Sequence, residues 1–362
     1  MSVGQILGDI RKLLVTAAIA LISGYGFSLL GLPVPYMLGS LIGVWFVGGA
    51  IRPIQPHLGI ARWFHIPVIV GLGVIVGGAI GPGFFENIRT WWATSLVVIA
   101  ATAIATTVGY VSLRYGRKRP WLQALLSAVP GGQAEVSVIA RDYVEKDYAV
   151  VLSHLVRVTF IFLSTPLILA LTQGEGSVEA SYEVQENLPR LRELSPLQLL
   201  TFLGLAAVSY GLALVIRMPM PHLLGPFFLT FIVTAFGWVE VIRLSEFVLL
   251  AQITIAGQIG SRLAKVPFGE VVEYLIDGLI VAVGTLSIYT LGAWAVAVAT
   301  GTAFISVYLG FVPGGLYEVT LLSVLFGLDV AFVAFHNTFR VILIYVALPP
   351  VLAKTKLKSS SD

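Results

Sequence analysis

The sequence predicts an all-α polytopic membrane protein of two homologous halves, with about 10–12 membrane segments at roughly 20 apolar residues each. Three observations predict this class. The 362 residues are 57% hydrophobic and only 11% charged, with a mean hydropathy of +0.92. Soluble domains carry roughly 25% charged residues, so a soluble fold would lack the polar groups to cover its surface. The apolar runs are continuous rather than alternating, which favours helices over the strands of a β-barrel. The same ordered set of anchor residues also occurs twice, which marks an internal duplication.

The first half opens with Arg11 and Lys12, followed by an apolar run from Leu13 to Leu30 that stops before Pro33-Val34-Pro35. It carries no small-residue cleavage pattern, so it reads as a membrane helix rather than a signal. Tyr36 to Ile51 follows, then Ile66 to Ile80 with Gly71, Gly73, Gly77 and Gly78, a small-residue spacing that lets membrane helices approach closely. Trp91 and Trp92 mark an interface and Ala93 to Val111 is a span. Arg114, Arg117, Lys118 and Arg119 form the strongest basic cluster. A short apolar piece, Trp121 to Val129, runs into Pro130-Gly131-Gly132. Val136 to Ala140 leaves that break, and Ala149 to Leu171 is another span. The second half repeats the plan with apolar runs from Leu199, Leu223, Phe247, Leu275, Phe304, Val319 and Val330. The expected organisation is membrane repeat 1 at 1–172, an acidic linker at 173–196, membrane repeat 2 at 197–353 and a basic tail at 354–362.

Pro33-Val34-Pro35-Tyr36-Met37-Leu38-Gly39 matches Pro219-Met220-Pro221-His222-Leu223-Leu224-Gly225, and Pro130-Gly131-Gly132-Gln133-Ala134-Glu135 matches Pro313-Gly314-Gly315-Leu316-Tyr317-Glu318. Arg157 and Arg340 each follow the glutamate by 22 residues (157 − 135 and 340 − 318). Charge bias votes on orientation. If each broken segment crosses the membrane, the repeats are parallel, and Arg262 and Lys265 fall outside. If each is a re-entrant hairpin, each half has about five crossings, and Arg262, Lys265 and the lysine tail all fall inside with Arg11 and Lys12. The second scheme satisfies more charges, so inverted repeats are expected; a broken helix that crosses would also allow inversion with one span fewer per half.

Pro-Gly-Gly is poor helix sequence. Each flanking piece is about ten residues, roughly 15 Å of helix, or half the hydrocarbon core of roughly 30 Å. The breaks therefore fall near mid-membrane, where unpaired backbone survives only inside protein or against a watery cavity. Half-helix N-termini present free N–H groups that suit an anion. One such break is accounted for by a packing kink. Two in matching positions point to a transporter binding site at Pro130, Gly131, Gly132, Pro313, Gly314 and Gly315. Glu135 and Glu318 either cap the following helix or carry a coupling proton or cation.

Asp147 and His154, like Asp329 and His336, are seven residues apart, two turns on one helix face. Arg157 and Arg340 stay on that face. An arginine in an apolar span avoids lipid, so each either pairs with a glutamate, holds the bundle together, or grips a substrate carboxylate by two prongs. The aspartates and histidines join the glutamates as candidate ion-coupling residues. With no cysteine, thiolate metal sites are excluded, and His57, His65 and His222 lack metal-ligand spacing. Neither a metal, a cofactor nor an enzymatic motif is expected. The scattered basic residues of a +3 chain leave no nucleic-acid footprint.

These anchors resemble the bacterial AbrB-type integral membrane family with an internal duplication, over nearly the whole chain and with both halves in order. Members carry labels such as "AbrB family transcriptional regulator" or ammonia monooxygenase. The residues fit neither label literally: there is no DNA-binding module, and the histidines form no copper set. The resemblance implies an inner-membrane protein linked to regulation of gene expression, with a plan similar to secondary transporters with inverted repeats. Gln133-Ala134 against Leu316-Tyr317, and a one-residue shift between histidine and arginine, depart from strict symmetry.

The expected function is a secondary transporter of a small organic anion, working by alternating access. A membrane-embedded regulator or sensor is the second reading and an oxidase the third. Expected partners are the lipid bilayer, a small-molecule substrate, H+ or Na+, and a second copy of the chain in a homo-oligomer.

Overall fold

The computed structural model describes residues 3–32, 34–80, 89–131, 136, 140, 144, 147–173, 188–218, 220–242, 244–265, 268–314 and 316–359. Among them lie thirteen α-helices and no strand. In chain order these are α1 (Val3–Leu29), α2 (Pro35–Ala50), α3 (Arg62–Gly78), α4 (Trp91–Val111), α5 (Trp121–Ala128), α6 (Asp147–Gln173), α7 (Pro196–Val215), α8 (Pro221–Ala235), α9 (Ser245–Ala264), α10 (Phe268–Thr300), α11 (Phe304–Phe311), α12 (Leu316–Leu325) and α13 (Val330–Ser359). Among the described residues five stretches are long and apolar enough to cross a bilayer: Trp91–Gly116, Pro196–Val215, Ser245–Ala264, Val272–Thr300 and Val330–Leu348. The protein is an all-α polytopic membrane protein, the class the composition predicts.

The compact units of the fold are not the two halves of the chain. One unit comprises Met1–Ile88, Leu163–Pro267 and Thr320–Ala331; the other comprises Arg89–Phe162, Phe268–Val319 and Phe332–Asp362. Each takes corresponding helices from both halves.

The first unit holds α1–α3 and α7–α9. Both Pro-x-Pro motifs do the work of a turn here. Val34 (φ 43) and Met220 (φ 48) are left-handed, and Pro35 and Pro221 open the helices that follow. Proline suits a first helical turn because its missing N–H would be unpaired there anyway. A left-handed non-glycine costs about 1–2 kcal/mol, and the same strained entry occurs at both matched motifs. Helices pack closely through glycine. A Cβ on Gly39 would lie 2.6 Å from the Gly24 Cα, and one on Gly260 would lie 2.6 Å from the Leu41 carbonyl oxygen. α3 and α9, third in their respective halves, run antiparallel. Ile60 N donates to Gln258 Oε1 at one end, Gly71 meets Phe247 further along, and Gly78 meets Val241 at the other end.

The second unit holds α4, α5, the first part of α6, α10, α11 and α13. α4 and α10 occupy matching places in the two halves and also run antiparallel. Down their length Val97 meets Gly292, Thr102 Oγ1 bonds Tyr289 Oη at 2.7 Å, and Gly109 meets Val281. At the far end Arg117 Nε and Arg119 Nε each donate to the Asp277 carboxylate at 2.6 Å. Arg119 also pairs with Glu273 at 2.7 Å and stacks over Tyr274. Burial opposes the Arg119 charge, and Asp277 and Glu273 more than offset it, holding its pKa above the ordinary value. So two of the four cations in the basic cluster are spent on fastening the end of α4 to the start of α10.

Candidate functional site

The site is built where two short helices stop. α5 and α11 are each eight residues long. Each ends at a valine in extended backbone, Val129 (φ −55, ψ 123) and Val312 (φ −58, ψ 130). The cause is local: a following proline clashes with a helical residue before it, and Pro130 and Pro313 supply that clash. Pro130, Gly131, Pro313 and Gly314 are all buried. The breaks therefore sit where the sequence places them. Gly132, Glu135 and Gly315 lie outside the described residues. Glu318 is in α12 and Asp147 opens α6, but their side chains lie outside the description as well.

A helix that stops in the interior leaves carbonyls unpaired and a partial negative charge. Each stop here is met by a buried arginine. Arg340 Nη1 donates to the carbonyls of Phe311 and Val312 at 2.8 and 3.1 Å. Arg157 Nη1 reaches those of Ser127 and Ala128 at 3.4 and 3.5 Å, a looser grip. Both side chains are 1% exposed. Among the described residues neither has an acidic partner, and the Nε of each has no hydrogen-bond partner.

Each arginine is oriented by a neighbour one turn back. His154 Nε2 donates to the Leu126 carbonyl at 2.7 Å, and its Nδ1 accepts from Arg157 Nη2 at 3.1 Å. Asn337 Nδ2 donates to the carbonyls of Leu309 and Gly310 at 3.1 Å, and its Oδ1 accepts from Arg340 Nη2 at 2.7 Å. A carbonyl can only accept and a guanidinium can only donate, so the hydrogen bonds fix the His154 tautomer and commit both ring nitrogens.

This corrects the pairing of His154 with His336. The counterpart of His154 is Asn337, which sequence reasoning missed. The signal was present: the shift that carries Arg157 to Arg340 (340 − 157 = 183) also carries Pro130 to Pro313 and His154 to Asn337. Counting from aspartates that are not equivalent hid it. His336 instead binds Thr94 Oγ1 at 2.7 Å and the Phe332 carbonyl at 2.8 Å, in an aromatic nest of Trp91, Phe311, Phe332 and Phe335. Asp329 is exposed and belongs to the first unit.

Tyr289 completes the centre. Its ring lies under Arg340, 5.7 Å from the guanidinium carbon. It is an electrostatic neighbour of both arginines, and its hydroxyl is tied to Thr102. Gly131 (φ +150) lies against Ile344 Cδ1, and a Cβ there would stand 4.0 Å from Arg340 Nε. A Cβ at this residue would press on Ile344 and touch the one Arg340 nitrogen left without a partner. The described residues hold no cluster of three or more His, Asp or Glu suited to a metal. What the arrangement can do chemically is bind negative charge with two fixed N–H donors in a desolvated setting.

The family model described as "Transition state regulatory protein AbrB" matches residues 41–355, a range that contains both breaks and both arginines. The chain belongs to the AbrB family. Beyond the family match, it is 28% identical over 357 residues to "Uncharacterized protein YhjN" of Bacillus subtilis (strain 168), covering 92% of this chain and 90% of that one. It is 25% identical over 336 residues to "Putative regulator AbrB" of Escherichia coli (strain K12), covering 92% and 93%.

Proposed function

We propose that this AbrB-family protein is a secondary transporter of a small organic anion in the bacterial inner membrane, working by alternating access. The observation that carries the reading is the paired centre: two fully buried guanidiniums, each capping a half-helix and each with an unpartnered Nε. Discontinuous helices in matching places of two repeats are the expected form of a transporter site. Inverted repeats are supported by two pairs of matching helices, α3 with α9 and α4 with α10, that run antiparallel.

The ion pairs also bear on which membrane face is which. They put the start of α10, three residues after Lys265, on the same side as Arg114–Arg119. That placement supports inverted repeats, whether each break is re-entrant or crosses with one span fewer per half, over the parallel scheme. Both basic clusters then lie in the cytoplasm.

Coupling to H+ or Na+ is assigned to Glu135, Glu318 and Asp147, since both His154 nitrogens are already engaged. The second reading, a membrane-embedded regulator that binds the anion without moving it, draws on the printed name of the Escherichia coli relative. Counterflow of labelled carboxylates in proteoliposomes tests the choice. Arg157→Gln and Arg340→Gln should each slow exchange about 10- to 100-fold, the value of a charge-assisted hydrogen bond. Glu135→Gln with Glu318→Gln should abolish gradient-driven uptake and spare exchange. Carboxylate binding with no exchange in the unaltered protein favours the regulator, and exchange untouched by all four changes removes this site.

A further inference from the structure

Beside the first break lies a cavity of about 360 Å³ between α4, α5 and α13. Ligand pockets begin at about 300 Å³, so it has room for the body of a small molecule. Val129 and Ile344 form its inner wall, and Thr107 and Ala347 line its exposed mouth on the outer face of this unit. Its polar residues offer no free donor. Thr102, Thr106 and Thr107 each return the hydroxyl hydrogen to a carbonyl four residues back, so what they turn to the cavity is methyl and hydroxyl oxygen. The cavity can therefore hold an apolar body but not an anionic head.

Charge lies immediately behind the inner wall. Ile344, which lines the cavity, is one helical turn from Arg340, and both approach Gly131, which follows Val129 by two residues. Thr102 lines the cavity and binds the Tyr289 hydroxyl, and Arg340 stacks over that same tyrosine. An unpartnered, buried guanidinium nitrogen thus lies beside Gly131 next to Ile344 of the inner wall, and the chamber opens within the transmembrane stretch of α4.

We propose that the anion is an amphipathic monocarboxylate, its carboxylate taken by Arg340 and its hydrocarbon body lodged in this cavity, entering sideways from the bilayer. The proposal rests on the carboxylate-site reading above and names the substrate class. The guanidinium offers the head a charge-assisted bond, and the cavity offers the tail a dry wall. A dicarboxylate would have to bury its second charge among groups that cannot donate to it.

The test is equilibrium binding of butyrate, hexanoate, octanoate and adipate to the full chain in phosphatidylcholine nanodiscs. Alongside it runs Ala347→Trp, which fills the mouth from an exposed position. Each added methylene should tighten binding about fourfold, adipate should bind more weakly than hexanoate, and Ala347→Trp should flatten the chain-length series, weakening octanoate far more than butyrate. Thr107→Trp on the α4 wall repeats the test if Ala347→Trp fails to fold. Partition into lipid is common to all forms and cancels in the comparison. A flat series in the unaltered protein, a series unaffected by both tryptophans, or adipate matching hexanoate overturns the proposal. A phospholipid chain that occupies the cavity and resists displacement by octanoate overturns it too. Butyrate exchange without any chain-length gain would leave the transporter reading standing and remove this one. A chain-length gain without exchange would do the reverse.

Discussion

The arginines at the two breaks show what a buried charge needs in order to stay. Leaving a guanidinium unpaired in a bilayer protein is costly, and these two are settled by helix-end carbonyls and by one neighbour each, His154 and Asn337. The two neighbours differ chemically but perform the same act: donate to a carbonyl of the half-helix and accept from the arginine. They should therefore be interchangeable. His154→Asn and Asn337→His are each expected to leave thermal stability close to the starting value. His154→Ala and Asn337→Ala should each lose about 1–3 kcal/mol, because a buried carbonyl and an arginine donor lose their partner together. Thermal unfolding of the purified protein reads this directly, and an Asn337→His protein as unstable as Asn337→Ala would show that the two positions are not equivalent. Much of this centre was legible in the sequence. Pro-Gly-Gly announced the breaks, and the two arginines announced buried partners. What was not legible is that the partners are main-chain carbonyls. Helix-end carbonyls exist at every residue and leave no letter in a sequence, whereas a charged residue invites the search for an opposite charge, here Glu135 and Glu318.

Between residues and the whole stand the helices, which approach one another through selected glycines. The sequence contains 37 of them, and composition alone cannot say which are contact points, because that depends on what lies across the groove. A Cβ on Gly39 would lie 2.6 Å from the backbone of Gly24, and backbone cannot rotate out of the way. A Cβ on Gly204 or Gly211, on α7, would meet no group of another element within 4 Å. The two kinds should answer oppositely to the same substitution. Gly39→Ala is expected to destabilise by about 1–3 kcal/mol through overpacking of α1 against α2. Gly204→Ala and Gly211→Ala should be neutral or stabilise by about 0.4–1 kcal/mol, since alanine narrows the unfolded ensemble and suits a helix. Unfolding midpoints of the three variants separate the cases, and a Gly39→Ala protein as stable as Gly211→Ala would mean that α1 and α2 are not in the register described.

At the scale of the molecule, duplication and compactness divide the chain along different lines. A duplicated membrane gene product need not fold as two lobes; here the first three helices of each half associate in one unit, with the end of α6 and most of α12, while α4, α5, the first part of α6, α10, α11 and nearly all of α13 form the other. Such an exchange is natural when the halves are inverted, because an inverted copy brings equivalent helices together antiparallel, as α3 lies with α9 and α4 with α10. The direct consequence is topological. The end of α4 and the beginning of α10 share a side, since Arg117 and Arg119 hold Asp277 there. α10 then runs 33 residues, roughly 50 Å at 1.5 Å per residue, more than the full bilayer with its headgroups at about 40–45 Å. Lys118 and Thr302, both exposed, are therefore expected to face opposite compartments. The absence of cysteine makes this a clean measurement with no background labelling. In intact cells a membrane-impermeant maleimide should label Thr302→Cys and leave Lys118→Cys unmodified, and in inside-out vesicles the pattern should reverse. Labelling of both from one face would break the link between the antiparallel helices and a membrane crossing. Inverted repeats would fall with it, and so would alternating access through two symmetric breaks.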